Sequence, residues 1–138
     1  MRPRYEGKED RADQDAVKVK LENAWRCQLI DTPPMHSFDF VVVENSYVRG
    51  FVEFKRRRGR FGIYPDTMLS IHKLYGINAV FPIPVFFVVQ WDDKVVWCEL
   101  KPDLWSRPVY GGRTAQTRDS GDIEVVAHIP NELFSEVG

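Results

Sequence analysis

The sequence predicts an α/β domain, α+β in the broad sense, built around a mixed central sheet. Apolar residues recur at helical spacing in two segments, and short apolar runs bounded by turn residues lie between and after them. The predicted order is one helix, three strands, a second helix and further strands. The early strands favour an antiparallel meander, whereas a helix between the third and fourth strands favours a parallel pair with a right-handed crossover. A length of 138 residues fits one domain.

The first predicted helix follows a charged N-terminal segment. Residues 1–13 are mostly charged or helix-breaking, so we expect a flexible tail followed by a single domain over residues 14–138. Asp13 or Asp15 can cap a helix that runs to about Arg26. Its apolar stripe consists of Val17, Leu21, Ala24 and Trp25.

Three strands are predicted next, at Cys27–Asp31, Phe38–Val43 and Arg49–Lys55, with a turn around Asn45 between the last two. A second helix is predicted from Pro65, which suits a first helical turn, to Gly76, which suits a C-terminal stop. The remaining predictions are strands at Val85–Trp91, Val95–Leu100 and Ile123–Ile129, a long loop at Lys101–Asp122 and a helical turn at Asn131–Val137.

Composition narrows the class of protein. No stretch approaches the roughly 20 apolar residues of a membrane span, and no signal-peptide pattern is evident, so we expect a cytoplasmic protein. The net charge of −1 argues against strong sequence-blind nucleic-acid binding, yet six basic residues lie between Arg49 and Arg60 with Glu53 as the one acid. Cys27 and Cys98 are expected to be buried thiols, with a disulfide as the alternative.

The strongest functional pattern lies on the second and third predicted strands. Strand alternation places Glu53 and Lys55 on one face and Val52 on the other, and Asp39 opens the neighbouring strand. Two carboxylates that converge beside an amine suit a hard divalent cation holding a phosphate, and the backbone carbonyl of Phe54 could add a ligand. Lys55 could orient or help deprotonate a water and offset negative charge on the phosphate. The alternative is a solvated Glu–Lys pair on an exposed strand.

Over roughly residues 15–100 the chain resembles the PD-(D/E)XK nuclease superfamily. The resemblance is carried by Asp39, by the Glu53-Phe54-Lys55 triplet, by Glu22 on the preceding helix and by the order of the elements. The one visible departure is that no proline precedes Asp39. The resemblance implies a restriction-endonuclease-like core and a Mg²⁺-dependent phosphodiesterase acting on DNA, with Mn²⁺ as a substitute and no organic cofactor. It implies that Glu22, Asp39 and Glu53 serve the metal and that Lys55 is catalytic. Asp15 is the reserve candidate for the helix acid.

By its size, the chain looks most like small archaeal-type or phage-encoded Holliday-junction resolvases. This implies a structure-selective endonuclease in a prokaryotic or phage-infected cell, acting as a homodimer on DNA that is branched. The fourth, fifth and last strands are the expected dimer interface. Two alternatives stay open: a general, nicking or exo-type phage nuclease, and an inactive DNA-binding module that has kept the fold.

DNA contacts are expected outside the metal site. The candidates for phosphate contact are Arg56, Arg57, Arg58, Arg60, Lys73, Arg113 and Arg118. Phe61 and Tyr64 could stack on an unpaired base or pack into the core.

Overall fold

A computed structural model of the chain describes residues 8–101, 108–112 and 123–138. It has the predicted α/β character. The helices are α1 (Lys8–Trp25) and α2 (Ile71–Val80), with a short 3₁₀ helix at Asn131–Leu133. The strands are β1 (Gln28–Asp31), β2 (Phe40–Glu44), β3 (Tyr47–Arg56), β4 (Asp66–Ser70), β5 (Val85–Gln90), β6 (Val95–Leu100), β7 (Pro108–Gly112), β8 (Ile123–Pro130) and β9 (Ser135–Glu136).

The central sheet has six strands in the order β1-β2-β3-β5-β6-β9. The predicted antiparallel meander of β1, β2 and β3 is confirmed, and so is the parallel pairing of β3 with β5. The β2–β3 hairpin turns at Asn45 and Ser46, whose φ angles of 52° and 68° are those that a tight two-residue hairpin turn requires. Because β3 and β5 are parallel, their C-terminal ends lie at the same edge of the sheet.

Each face of the central sheet covers a separate hydrophobic cluster. The α1 side contains Val17 and Leu21 of the helix packed with Val52 and Phe54 of β3. The other side contains Leu74 of α2 and residues of a second sheet, which has the order β4-β8-β7. Consecutive residues of β3 therefore face different helices, and this alternation decides which helix can reach Glu53.

The predicted start of the second helix at Pro65 is wrong. The segment Asp66–Ser70 is strand β4, which pairs antiparallel with β8. Thr67 and Leu69 are buried and Met68 is exposed, which is the period-2 pattern of a strand. The helix begins only after Ser70, whose Oγ accepts a hydrogen bond from the backbone N of His72 at 3.4 Å.

The predicted helix end at Gly76 is also wrong, because α2 continues to Val80. Gly76 is explained by packing instead. A Cβ at this position would lie 3.0 Å from Cζ of Phe38, so the absence of a side chain lets the Phe38 ring pack against the helix backbone.

Other expectations need correction. Helix α1 begins at Lys8, inside the segment expected to be a tail. The expected loop after β6 contains β7, and the chain ends in a 3₁₀ helix followed by β9. Strands β5, β6 and β8, which were expected to form the dimer interface, are interior strands whose edges are already paired within their sheets. Cys27 and Cys98 are free thiols, but only Cys98 is fully buried, and burial raises its pKa to about 12. None of the described helices combines the length and apolar character needed to cross a membrane.

Candidate active site

The hairpin register brings Asp39 to Glu53, as the strand pattern predicts. The backbone N of Asp39 donates to the carbonyl oxygen of Val52 at 2.8 Å, which extends the β2–β3 ladder by one residue. The carboxylate oxygen Oδ2 of Asp39 accepts a hydrogen bond from the backbone N of Phe54 at 2.8 Å. Asp39 is 7% exposed and Glu53 is 2% exposed, so two acids share one buried region.

The environment of Glu53 opposes its ionisation. Desolvation by burial, and next the nearby charge of Asp39, raise the pKa of Glu53 from 4.5 to about 7, although Lys55 and Lys73 both act to lower it. Lys55 Nζ lies 3.7 Å from Glu53 Oε2. Lys73 Nζ lies 3.3 Å from Oε1 on the other side. The site thus contains two acids and two amines, and the burial of Glu53 together with the charge of Asp39 outweighs the attraction of the two amines, so the pKa of Glu53 is raised.

Lys73 is the site residue whose role the sequence did not reveal. Its Nζ donates to the backbone carbonyl of Ser37 at 2.6 Å and forms an ion pair with Glu53. It therefore joins α2 to the segment that precedes Asp39, and its expected role as a phosphate contact is not the one that its contacts show. One feature of the sequence could have indicated a role for Lys73 in the site: it is the single Lys, Arg, Asp or Glu residue in α2.

The donor set fits a hard divalent cation. Oε1 of Glu53 is buried and accepts no hydrogen bond, because the Lys73 amine is close but not aligned to donate to it. In a strand, the N–H and the C=O of one residue point to the same side. The N–H of Phe54 points towards Asp39, so the carbonyl of Phe54 points towards Asp39 as well. These donors are all oxygens, which Mg²⁺, Mn²⁺ and Ca²⁺ prefer.

The protein supplies a small number of ligands. Across residues 8–101, 108–112 and 123–138, no group of three or more His, Cys, Asp and Glu side chains is arranged to hold a metal ion. Two carboxylates and one carbonyl are nevertheless sufficient for Mg²⁺, which usually keeps several waters and accepts phosphate oxygens from its substrate.

The structure does not bring Glu22 to this pair. Its Oε2 accepts a hydrogen bond from the backbone N of Leu29 at 2.9 Å, and Leu29 lies opposite Val42, three residues along the chain from Asp39. Helix α1 packs on the face of the sheet opposite to Glu53, so the sheet separates Glu22 from the pair. The carboxylate of Glu22 instead stabilises the start of β1.

Asp15, the reserve candidate, is exposed and forms an ion pair with Arg11, with Asp15 Oδ1 3.7 Å from Arg11 Nε. The same helix approaches the C-terminal end of β3 through Asp13, whose Oδ2 lies 4.0 Å from Arg56 Nε.

The arginines at the C-terminal end of β3 and in the segment that follows it divide into two groups. Arg56 contacts Asp92 at 2.5 Å and the carbonyl of Gln90 at 3.1 Å, and Arg57 donates to the carbonyl of Met68 at 3.2 Å. These two side chains form hydrogen bonds within the protein. Arg58 and Arg60 are exposed, so they keep the predicted role in phosphate contact. Arg113 and Arg118 lie outside the described residues.

Comparison with known proteins bears on the fold and on the family of the chain. None of the curated proteins matches the chain. Among solved structures, the fold is similar to that of Archaeoglobus fulgidus Hjc, a Holliday junction resolvase from an archaeal hyperthermophile, with a TM-score of 0.53 and 16% identity over 95% of this chain and 93% of that one. At this identity the likeness shows the fold, and it confirms the restriction-endonuclease-like core. A sequence model of the family described as "Phage putative PDDEXK endonuclease" matches residues 1–137, and the chain therefore belongs to this family of nucleases.

Proposed function

We propose that this protein is a divalent-metal-dependent DNA endonuclease whose cation is held by Asp39, Glu53 and the Phe54 carbonyl. The observation that carries the proposal is the buried carboxylate pair, in which Oε1 of Glu53 accepts no hydrogen bond although Lys55 and Lys73 flank the same carboxylate. A nuclease family supplies the reaction class, phosphodiester hydrolysis. Mg²⁺ is the proposed ion, and Mn²⁺ should replace it because both prefer oxygen ligands.

The roles of the residues follow from their exposure. A bound divalent cation polarises the scissile phosphate and lowers the pKa of a water molecule. Lys55 is half-exposed on the same face as Glu53, so its amine can reach a phosphate from the solvent side, orient the attacking water and offset negative charge that develops on the phosphate. Lys73 is more enclosed and holds Glu53 and the Ser37 carbonyl in place. Asp39 is oriented by the backbone N of Phe54.

Cleavage of plasmid and oligonucleotide DNA in Mg²⁺, Mn²⁺ or Ca²⁺ tests this proposal. We expect Asp39→Asn, Glu53→Gln and Lys55→Met each to reduce cleavage at least about a hundredfold. The matched controls are Glu99→Gln on β6 and Lys20→Met on α1, which remove an exposed acid and an exposed amine and should leave cleavage unchanged. Wild-type protein that cuts no DNA in any of these ions would instead identify a binding module without catalysis.

We infer further that the enzyme prefers branched DNA, as a Holliday-junction resolvase does, and acts as a homodimer in the cytoplasm of a prokaryotic or phage-infected cell. The similarity to an archaeal resolvase fold supports this preference. A four-way junction needs two symmetric cuts, which a two-fold dimer supplies. Four-way junction, flap, nicked duplex and single strand should be compared at equal concentration, with light scattering for the oligomeric state. Equal cutting of all substrates would indicate a general nuclease, and loss of activity on closed circles would indicate an exonuclease.

A further inference from the structure

The loop that follows the active-site strand has an exposed surface that the hydrolytic site does not use. This 57–65 loop begins two residues after Lys55 and leads through β4 into α2, which carries Lys73. Both ends of the loop are therefore connected to site lysines. Arg58 lies three positions along the chain from Lys55, which limits the distance between their Cα atoms to about 11 Å. That distance corresponds to about three base steps along one DNA strand.

The backbone of the 57–65 loop is held firmly by the β5–β6 turn. The N–H of Gly59 donates to Oδ2 of Asp92 at 2.8 Å, and the N of Asp92 donates back to the carbonyl of Gly59 at 2.9 Å. The N–H of Phe61 donates to Oδ1 of Asp93 at 2.8 Å. On the loop side, these contacts are made by backbone atoms only. The neighbouring turn therefore specifies the conformation of the loop backbone without using the exposed side chains of the loop.

The second half of the loop is anchored by Asn131. Its Nδ2 donates to the carbonyl of Tyr64 at 2.5 Å, and its backbone N donates to the carbonyl of Pro65 at 3.1 Å. The tyrosine backbone is thus fixed while its side chain is left in solvent. An aromatic ring on a rigid backbone loses little conformational entropy when it binds a partner.

The two aromatic residues of the loop have different environments. Phe61 packs inward, with its ring centroid 6.2 Å from that of Trp91 and 6.1 Å from that of Phe134. Tyr64 points outward and is 66% exposed, beside the exposed Ile63. Of the two alternatives that the sequence left open, core packing holds for Phe61 and does not hold for Tyr64.

The same loop carries two exposed arginines. Arg60 and Arg58 are both exposed. Arg60 Nε lies 4.0 Å from Asp93 Oδ2, but an exposed pair at this distance is weak and can be replaced by a phosphate. The two aspartates of the turn are already engaged, Asp92 with Arg56 and Gly59, and Asp93 with Phe61.

We propose that the 57–65 loop is a stacking surface for unpaired DNA bases, in which the Tyr64 ring and Ile63 pack against a base and Arg58 and Arg60 contact the flanking phosphates. Aromatic rings on a basic surface are the features that bind single-stranded or unstacked nucleic acid, because every base has a face on which to stack. The loop would thereby select DNA that has unpaired or easily unstacked bases. This inference rests on the proposed nuclease function, and it adds that the enzyme recognises unpaired or easily unstacked bases in its substrate.

Tyr47 provides a matched control. It is 68% exposed and has Arg49 nearby, with the guanidinium carbon 5.8 Å from its ring centroid. It lies at the opposite end of β3 from Lys55, about 26 Å away at the rise of an extended strand. Tyr47→Ala therefore removes an equally exposed tyrosine near an arginine, but far from the site.

The experiment measures binding to a bulged duplex carrying 2-aminopurine in the bulge and to the fully paired duplex, in Ca²⁺. Stacking should quench 2-aminopurine fluorescence with wild-type protein and with Tyr64→Phe. Tyr64→Ala should abolish the quench and weaken binding to bulged DNA about tenfold, with little change for paired DNA. Tyr47→Ala should match wild type. Arg58→Gln and Arg60→Gln should each reduce the salt slope of binding by about one on both DNAs.

Equal behaviour of Tyr64→Ala and Tyr47→Ala would overturn the proposal, and so would equal losses on bulged and paired DNA. Because the Tyr64 side chain is exposed, the variant should keep the melting temperature of the wild type, which separates a loss of stacking from a loss of fold. If wild-type protein cleaves DNA and Tyr64→Ala is unaffected, only the stacking surface fails. If wild-type protein neither binds nor cleaves DNA, the proposed function fails with it.

Discussion

The clearest quantitative prediction concerns Glu53→Gln, which keeps the shape of the side chain and removes its charge. Without a divalent cation, the pKa of Glu53 in the folded protein is about 7, against an ordinary value of 4.5. Each pKa unit corresponds to about 1.4 kcal/mol, so ionising this buried acid destabilises the fold by about 3 kcal/mol. Since Glu53 is almost fully buried, solvent screening does not reduce this figure substantially.

The sign follows from the raised pKa. The contribution of Glu53 to stability is fully present below about pH 4.5, where the acid is protonated in both states, and is lost as the pH rises through about 7. The free energy of unfolding of Glu53→Gln minus that of the wild type should therefore grow by about 3 kcal/mol between about pH 4.5 and pH 8. Groups far from Glu53 titrate in both proteins and cancel in the difference.

Urea unfolding followed by tryptophan fluorescence in EDTA measures this difference, since the chain has four tryptophans. With an m value of about 2 kcal/mol/M, the difference between the two midpoints should grow by about 1.5 M from about pH 4.5 to pH 8. Saturating Mg²⁺ should remove the advantage of the variant, because the cation stabilises the ionised acid. A midpoint difference that stays constant with pH would refute the reasoning, because it would mean that Glu53 is not desolvated beside Asp39.

Three further substitutions test other contacts. Lys73→Met should lower the free energy of unfolding at pH 8 by about 1–2 kcal/mol in EDTA, because it removes a counter-ion of Glu53, and Mg²⁺ should restore most of the loss. Glu22→Ala should cost about 1 kcal/mol through the unpaired N–H of Leu29 and leave DNA cleavage within about threefold of wild type. Gly50→Ala should cost about 1–3 kcal/mol in urea unfolding, since its Cβ would lie 2.7 Å from a ring carbon of β5 and 3.0 Å from a backbone carbonyl oxygen.

Each of these predictions has its own control. Lys73→Arg keeps the charge and should unfold like the wild type, so equal effects of Arg and Met would show that packing, not charge, matters at this position. Glu22→Gln keeps an acceptor for Leu29 and should restore stability, whereas loss of cleavage in Glu22→Ala would place this acid in the catalytic machinery after all. Gly62→Ser, at a loop glycine with open space but a φ of +97°, separates backbone strain from the steric clash expected at Gly50.

Local pattern was sufficient to predict the central part of the site. Period-2 alternation determines that Glu53 and Lys55 share a face, whatever the strand packs against. The short turn at Asn45 determines that the preceding strand returns beside it, and this brings Asp39 next to Glu53. The helix between β3 and β5 determines their parallel pairing. These inferences depend on neighbours in the chain and on fixed strand geometry.

Local pattern was insufficient where two structures satisfy it equally. Thr67 and Leu69 fit one face of a strand, but the same segment also fits the first turn of a helix. Only the pairing of this segment with β8 shows that it is a strand. From the sequence, Gly76 indicates the end of a helix. The structure shows instead that the ring of Phe38 packs against the helix at this residue.

By itself, the sequence determined the order from the first helix through the β1–β3 meander, the pairing of Asp39 with the Glu53 strand, the face that carries Lys55 and the nuclease character of the pattern. Only the tertiary structure decided that Glu22 lies behind the sheet, that Lys73 forms an ion pair with Glu53 and that Tyr64 is exposed while Phe61 is partly buried against the core. The physical reason is the range of the interactions. Strand alternation and tight turns act over a few residues, whereas the burial and partners of a long side chain depend on how distant elements pack around it.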